Sequence, residues 1–373
     1  MNGIKETPAP SGDRVHFYTL NVGQGDSHVV HIPDREAAIV IDPGDSDVIG
    51  QLLHDKLKIK HLPLILISHF HLDHMQGLNE VIRQCCEPPV QSGRPAFKPG
   101  YIFINSHSFE RTKLAGMAER LDDLADLKKE HDLKFELITA ESSSSQLFSG
   151  ELEALGIEGH VIYPDLFQEG HAVRKNDFNL GSVLLYLVFA GKKILYTGDL
   201  PYEGWQEVSD REDLSSDVFK VPHHGGSISA GSNPAGSGRD MKKILDRVQP
   251  RFALVSVGDK HGHPLPEVIE AIVDHESKPH VFCTRVSSRC CSSPAQMKQK
   301  IVDYYLKNLK DEKRKYMMLG SERGSMCAGT IQVMFNRGSG EIITQPSVGE
   351  HLRMVKKVFN NCQPLCYKRI TRN

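Results

Sequence analysis

Residues 65–78 read ILISHFHLDHMQGL, placing His69, His71, Asp73 and His74 within six positions behind an apolar run. Three imidazoles and a carboxylate crowded together are costly to desolvate unless something positive and divalent sits among them. His69 and His71 lie two apart, so an extended segment points both the same way. Asp73 and His74 then open the stretch DHMQGLNEVIRQ, which reads as a helix, and a carboxylate is welcome at a helix N-terminus. The run before them, LPLILIS (62–68), is continuously apolar and short, the pattern of a strand covered on both faces.

Working outward, other metal-type residues fall at the ends of strand-like segments. Asp199 follows KILYTG, His223 and His224 follow VFKVP, His263 follows FALVSVG after a short loop, and Asp42 ends AAIVID. Residues at the same end of neighbouring strands converge on one edge, where α/β proteins build their sites. Imidazole and carboxylate without thiolate suit zinc, manganese or iron. One four-coordinate ion cannot use all these groups, whereas two ions sharing Asp199 can. His16, His28, His31, His54, His61, His107 and His131 read as ordinary core or surface histidines.

The chain has 373 residues, 39% hydrophobic and 25% charged, ordinary values for a globular protein able to bury its own core. Its longest nearly apolar run, Leu180 to Ala190, is far short of the ~18 residues that span a bilayer. The first 13 residues lack the apolar core of a signal peptide, and cytoplasmic residence is the expectation. A formal net charge of -2 advertises no global affinity for nucleic acid. From His351 onward, however, Arg353, Lys356, Lys357, Lys368, Arg369 and Arg372 occur with no acidic residue, and the stretch reads as a solvated basic tail. The eight cysteines show no zinc-finger spacing and read as small buried hydrophobes, with Cys362 and Cys366 a weak candidate for another metal site.

Strand signals at 15–20, 27–32, 37–42 and 62–68 precede helical periodicity within 108–131 and a serine run, ESSSSQLFSGE, read as a loop. A hairpin turning at Ala190-Gly191, strands at 218–222 and 252–258, a helix opening at PLPEV and a long charged helix bearing Met297, Ile301, Tyr304 and Tyr305 follow. The strands TIQVMF and EIIT close the pattern. Strands alternating with helices argue for a layered α/β domain. The boundaries expected are a flexible tail at 1–13, a single domain at 14–345 with an insertion near 286–325, and the basic tail at 346–373.

NVGQGDS (21–27), IVIDPGD (39–45), SHFHLDHMQGL (68–78), ILYTGD (194–199), FKVPHHGGSIS (219–229) and VSVGDKHGHPLPEV (255–268) together resemble the metallo-β-lactamase superfamily. More narrowly they resemble its ComEC/Rec2-type branch, the hydrolase domain of the DNA-uptake competence protein and its stand-alone relatives. The resemblance implies an αββα sandwich with an extra C-terminal helical insertion, and a dinuclear site between the sheet edges. It makes NVGQGDS a loop beside the metals, with Asp26 orienting a ligand histidine from behind, as Asp42 does. Most of the superfamily has a third histidine on the first metal. Here that region reads HAVRKNDFNLGSVLL, with Asn176, Asp177 and Asn179 instead, and His160 or His171 as the candidates to reach in. The competence protein's membrane channel is absent from these residues, so DNA uptake is not the expected role.

The expected metal ligands are His69, His71, Asp73, His74, Asp199, His223 and His263, holding two divalent ions, zinc in preference to manganese. Of the vicinal pair, His223 is read as the ligand and His224, with Asp73, as catalytic; His263 is either the last ligand or the general acid. GGSISAGSNPAGSG (225–238) reads as a mobile lid. The leading expectation is a phosphodiesterase or nuclease acting on DNA through a metal-bridging hydroxide, with Lys307, Lys310, Lys313, Arg314 and Lys315 as phosphate contacts. The alternatives are a hydrolase of small phosphodiesters or other esters, and a non-catalytic metal-binding interaction module.

Overall fold

A computed structural model describes residues 14–105, 118–208, 212–229, 234–258, 261–359 and 364–367. The first half supplies β1 (Arg14–Thr19), β2 (His28–Ile32), β3 (Ala37–Ile41), α1 (Ser46–Gly50), β4 (His61–Ile67), α2 (Leu72–Met75), α3 (Leu78–Cys86), β5 (Tyr101–Ile104), α4 (Ala118–Glu130) and β6 (Lys134–Leu137). Next come α5 (Ser143–Ala154), β7 (Glu158–Tyr163), α6 (Leu166–Lys175), β8 (Leu184–Phe189), β9 (Lys192–Tyr196), α7 (Tyr202–Glu207), β10 (Val218–Lys220), α8 (Pro234–Val248), β11 (Phe252–Val255), α9 (Pro266–Asp274) and β12 (His280–Cys283). The chain ends with α10 (Pro294–Asn308), α11 (Asp311–Met317), β13 (Ile331–Asn336), β14 (Ile342–Gln345) and α12 (Val348–Val358).

The strands form an eight-stranded sheet, β14-β13-β1-β2-β3-β4-β5-β6, and a six-stranded sheet, β12-β11-β10-β9-β8-β7. β4 shows how the sequence builds the layers. Leu64 and Leu66 face the second sheet alongside Leu185, Ile194 and Leu254, while Ile65 and Ile67 face α3 through Val81 and Ile82. Alternation along one strand thus feeds two cores, which is why its run is continuously apolar. On the far side, Phe219 and Val255 pack against α8, α9 and α10 through Leu245, Ile269 and Ile301. The order is helix, sheet, sheet, helix: the αββα architecture expected.

Several local readings differ from the structure. The serine run is the start of α5, because Ser142 caps it by accepting from the Ser145 amide at 3.0 Å while Phe148 and Leu152 are buried. DHMQGLNEVIRQ is two helices, α2 and α3, parted at Gln76-Gly77. The stretch read as a solvated tail contains α12, whose Met354 and Val355 are buried in the second sheet's outer core. Of the glycine-rich segment read as a lid, Ile228, Gly236 and Ser237 are buried and 234–238 begin α8; 230–233 lie outside the described residues. Residues 1–13 and 108–117, His107, Cys362, Lys368, Arg369 and Arg372 also lie outside them. The insertion at 286–325 carries α10 and α11, whose Met297, Ile301, Tyr305 and Met317 belong to the same core as the strands. Among the described residues no helix is long and apolar enough to cross a membrane.

Candidate metal centre

The C-terminal ends of β3 and β4 in one sheet, and of β9, β10 and β11 in the other, open onto the same edge. Asp42 follows β3, Ser68 and His69 follow β4, Asp199 follows β9, and His223 and His224 follow β10. Asp199 is the centre of the arrangement. Its Oδ2 lies 3.3 Å from His74 Nε2, 3.6 Å from His224 Nε2 and 3.9 Å from His69 Nε2. His71 Nδ1 sits 3.1 Å from His69 Nε2, and Asp73 Oδ2 sits 3.6 Å from His224 Nε2. Two of the groups are His69 with His71 and Asp199, and Asp73 with His74 and His224, and a third, Asp26 with His74 and Asp199, links them.

Three of the imidazoles, His74, His69 and His224, have a polar group behind them. Asp42 Oδ2 lies 2.6 Å from His74 Nδ1, and it also accepts from the Ser68 hydroxyl at 2.6 Å and from the Tyr196 hydroxyl. Asp42 therefore engages the side of His74 opposite Asp199 and fixes its outward nitrogen. Ser68 Oγ lies 3.1 Å from His69 Nδ1, and Asp26 Oδ1 lies 3.6 Å from His224 Nδ1. The NVGQGDS loop is pressed backbone to backbone onto this ligand loop: the Asp26 amide donates to the Asp73 carbonyl at 3.0 Å. Gly25 has φ +124°, and a Cβ there would lie 2.2 Å from the same carbonyl oxygen, so only glycine fits.

The vicinal pair is placed in the reverse of the expected order. His223 and His224 both have left-handed backbone, φ 51° and 54°, which turns the chain sharply and sends the two rings apart. His224 joins Asp73 and Asp199, whereas His223 Nδ1 lies 2.8 Å from the Ser227 carbonyl and its ring is 5.4 Å from that of His263. His263 therefore sits on the rim with His223. Neither candidate for a third histidine reaches in. His160 pairs with Glu158 at 3.0 Å and His171 with Glu207 at 2.7 Å. Asp177 instead accepts from the amides of Asn179 and Leu180, capping a short turn.

One central residue escaped the sequence reading. Lys220 is fully buried, paired with Asp26, 3.7 Å from Asp199 Oδ1, and donates to the Gly198 carbonyl at 2.9 Å. The signal was present: Val218 faces the second sheet's inner core and Phe219 its outer one, so strand alternation returns Lys220 to the inner side beneath the site.

The charges do not balance on protein groups alone. Asp26, Asp42 and Asp199 surround the ammonium of Lys220, and Asp73 lies beside His224. Burial disfavours a charged ring at His74, yet Asp199 and Asp42 outweigh it and hold its pKa well above the ordinary histidine value. At His224 burial is likewise overcome, by Asp199 and Asp26. Burial would raise Asp199 and Asp26, but His74 and His224 hold the first, and Lys220 and His224 the second, well below the carboxylate range. His69 and His71 are pulled down chiefly by burial. Two imidazoles thus tend to borrow protons to offset carboxylates, the place a cation takes in a metal protein.

The donor set fits metal ions. His74 Nε2, Asp199 Oδ1 and both ring nitrogens of His224 are buried without a hydrogen-bond partner among the described residues. Metal–ligand bonds of about 2.0–2.2 Å at tetrahedral angles separate ligand atoms by about 3.3–3.6 Å. The ligand pairs here span 3.1–3.9 Å.

Residues 20–88 match the model of the metallo-beta-lactamase superfamily. That match, the ligand motif and the two-sheet fold make the chain similar to the metallo-β-lactamase superfamily. ComE operon protein 3 of Bacillus subtilis is a homologue, 23% identical over 278 residues, covering 69% of this chain and 30% of the relative. A hydroxyacylglutathione hydrolase of Idiomarina loihiensis is 32% identical over 65 residues, 17% of this chain and 25% of its own length. The chain therefore spans under a third of either relative. Among solved structures, the metallo-beta-lactamase fold protein YhfI of Bacillus subtilis aligns at a TM-score of 0.43 and 11% identity, covering 73% of this chain and 98% of that one. Unliganded yeast PDE1 aligns at 0.43 and 12%, covering 73% and 97%. These structural likenesses are too distant to bear on the chemistry.

Proposed function

We propose that the chain is a metal-dependent phosphodiesterase acting on nucleic acid, DNA first of all. The observation that carries the reading is Asp199 Oδ2 lying within 3.9 Å of three imidazole nitrogens, with a second carboxylate, Asp73, beside them. His69, His71 and Asp199 would hold one divalent ion, zinc or manganese, and Asp73, His74, His224 and Asp199 the other. Two such ions acidify a water and offset charge on a phosphoryl oxygen. The chain's own part is orientation: Asp42 and Asp26 aim His74 and His224, and Lys220 keeps Asp26 ionised where burial would neutralise it. We assign His223, its Nδ1 fixed on Ser227, to substrate oxygens, and His263 to the leaving-group side. This reassigns the metal role within the pair from His223 to His224.

A polyanionic substrate is supported by a basic groove between α10 and α12. Lys300, Lys307, Arg353, Lys356 and Lys357 line two adjoining cavities of about 700 and 440 Å³, and none has an ion-pair partner among the described residues. The likeness to the competence branch points the same way. End-labelled single- and double-stranded DNA, incubated with the protein and manganese or zinc beside an Asp199→Ala control, tests the reading. Metal-dependent degradation that disappears in the variant supports it, and the product ladder separates end from internal attack. Intact DNA together with hydrolysis of bis-nitrophenyl phosphate would replace it with a small-molecule phosphodiesterase.

A further inference from the structure

Away from the catalytic edge, thiols and an imidazole from distant parts of the chain meet on the outer side of the second sheet. Cys283 ends β12, Cys290 lies in the loop before α10, Cys327 precedes β13, His351 is on α12, and Cys366 lies in the short turn at Leu365–Tyr367. Backbone pairing sets two of them side by side. The Cys327 amide donates to the Thr284 carbonyl at 3.0 Å and the Ala328 amide to the Cys283 carbonyl at 2.9 Å. Cys327 Sγ is 3.4 Å from His351 Nε2, and the ring's other nitrogen is 3.1 Å from His280 Nε2. Cys366 and His351 line one cavity of about 470 Å³ together with His280. Cys283 and Cys327 belong to one apolar core, with Cys290 and Cys366 packed against it.

A lone buried cysteine is an inert small hydrophobe. Here Cys327 meets an imidazole whose rear nitrogen is held by a second histidine, with Cys283 brought alongside by backbone pairing and Cys366 lining the same cavity as the ring, and a partner on the rear nitrogen is how proteins orient a ligating histidine. We propose that Cys283, Cys327, Cys366 and His351 form a structural zinc site that fastens α12 and the turn after it to the second sheet. Cys290 is left out, its sulfur turned to the Ser287 hydroxyl at 3.6 Å. Burial, and then the neighbouring thiols, push the Cys283, Cys327 and Cys366 pKa values up, so the ion is what makes thiolates of them. Binding releases the thiol protons and leaves His351 as a neutral donor. Three thiolates and an imidazole select zinc over the hard ions that a carboxylate site accepts. The site does not depend on the catalytic reading.

The two centres separate cleanly in one spectrum, because the catalytic edge contributes no thiol. The full chain is stripped of metal and reloaded with cobalt(II). A thiolate-to-cobalt charge-transfer band is expected, and it should vanish in Cys327→Ser and in His351→Gln while metal-dependent diester hydrolysis persists. Because Cys327→Ser puts a hydroxyl into an apolar core, the unaltered chain is also titrated with a mercurial thiol reagent beside a metallochromic dye. Release of about one zinc per chain as the buried thiols react is expected. Cobalt-loaded protein lacking the band, or complete thiol modification that frees no zinc, would overturn the proposal.

Discussion

Two regions of this molecule gather metal-ligating side chains, and they are built on opposite terms. At the catalytic edge the donors are imidazoles and carboxylates on strand ends, backed by Asp42, Asp26, Ser68 and Lys220. On the outer side of the second sheet they are thiols with one imidazole, set in apolar packing. The first arrangement gathers carboxylates around one buried ammonium, negative charge that a hard ion would relieve. The second stores almost none until thiols ionise. The difference teaches that position on the fold selects the chemistry: converging strand ends gather polar donors from both sheets, whereas a seam between a sheet and its covering helices surrounds its donors with apolar side chains.

The comparison breaks most visibly at Asp199. Asp199→Ala should lower diester hydrolysis by at least roughly 10³-fold, because both ions lose a ligand; steady-state kinetics with bis-nitrophenyl phosphate reads this, and the thiolate–cobalt band should be untouched. Lys220→Met should leave Asp26 buried without its cation and cost about 3–5 kcal/mol in urea unfolding, as breaking a buried pair does. Gly25→Ala should cost about 2 kcal/mol, since a methyl group would collide with the Asp73 carbonyl from a left-handed backbone. The corresponding change at Gly93, which has open space, should cost less, and paired thermal melts separate the two.

Acid should act through histidines outside both centres. Burial lowers His16, His31 and His54 to about 4 in the folded protein. The unfolded chain therefore binds more protons between that value and the ordinary 6.5, and stability is full above pH 6.5 and falls as pH drops toward 4. Each such histidine contributes a slope of up to about 1.4 kcal/mol per pH unit, less for solvent screening. Urea midpoints across that window should fall steadily, and His54→Gln should flatten the slope. The smallest effect belongs to the groove. Lys307→Glu with Lys357→Glu should weaken DNA binding and reduce the salt-dependence slope by about 2, leaving bis-nitrophenyl phosphate turnover unchanged.

Much of this was legible in the sequence, because period-two burial writes itself into β4 and because ligand residues recur after strands. The layered fold and the convergence of His69, His71, Asp73, His74 and Asp199 follow from those two regularities. What the sequence hid was three-dimensional. The order of His223 and His224 depends on two consecutive left-handed residues, which no spacing rule reports. Lys220 drew no reading, because its burial shows only when alternation with Val218 and Phe219 is set against the sheet's two faces. The serine run hid its helix because Ser142 is a cap and the apolar residues come later. Of the thiol cluster only Cys366 was singled out, and with Cys362 as its partner, because the members are spread from 283 to 366 and share no spacing.

The most direct test of a paired-metal centre is electron paramagnetic resonance of protein loaded with two equivalents of manganese(II). Two ions sharing Asp199 should give a broadened, exchange-coupled spectrum, and Asp199→Ala should return isolated-ion signals. A spectrum of isolated manganese in the unaltered protein, unchanged by the substitution, would contradict the account.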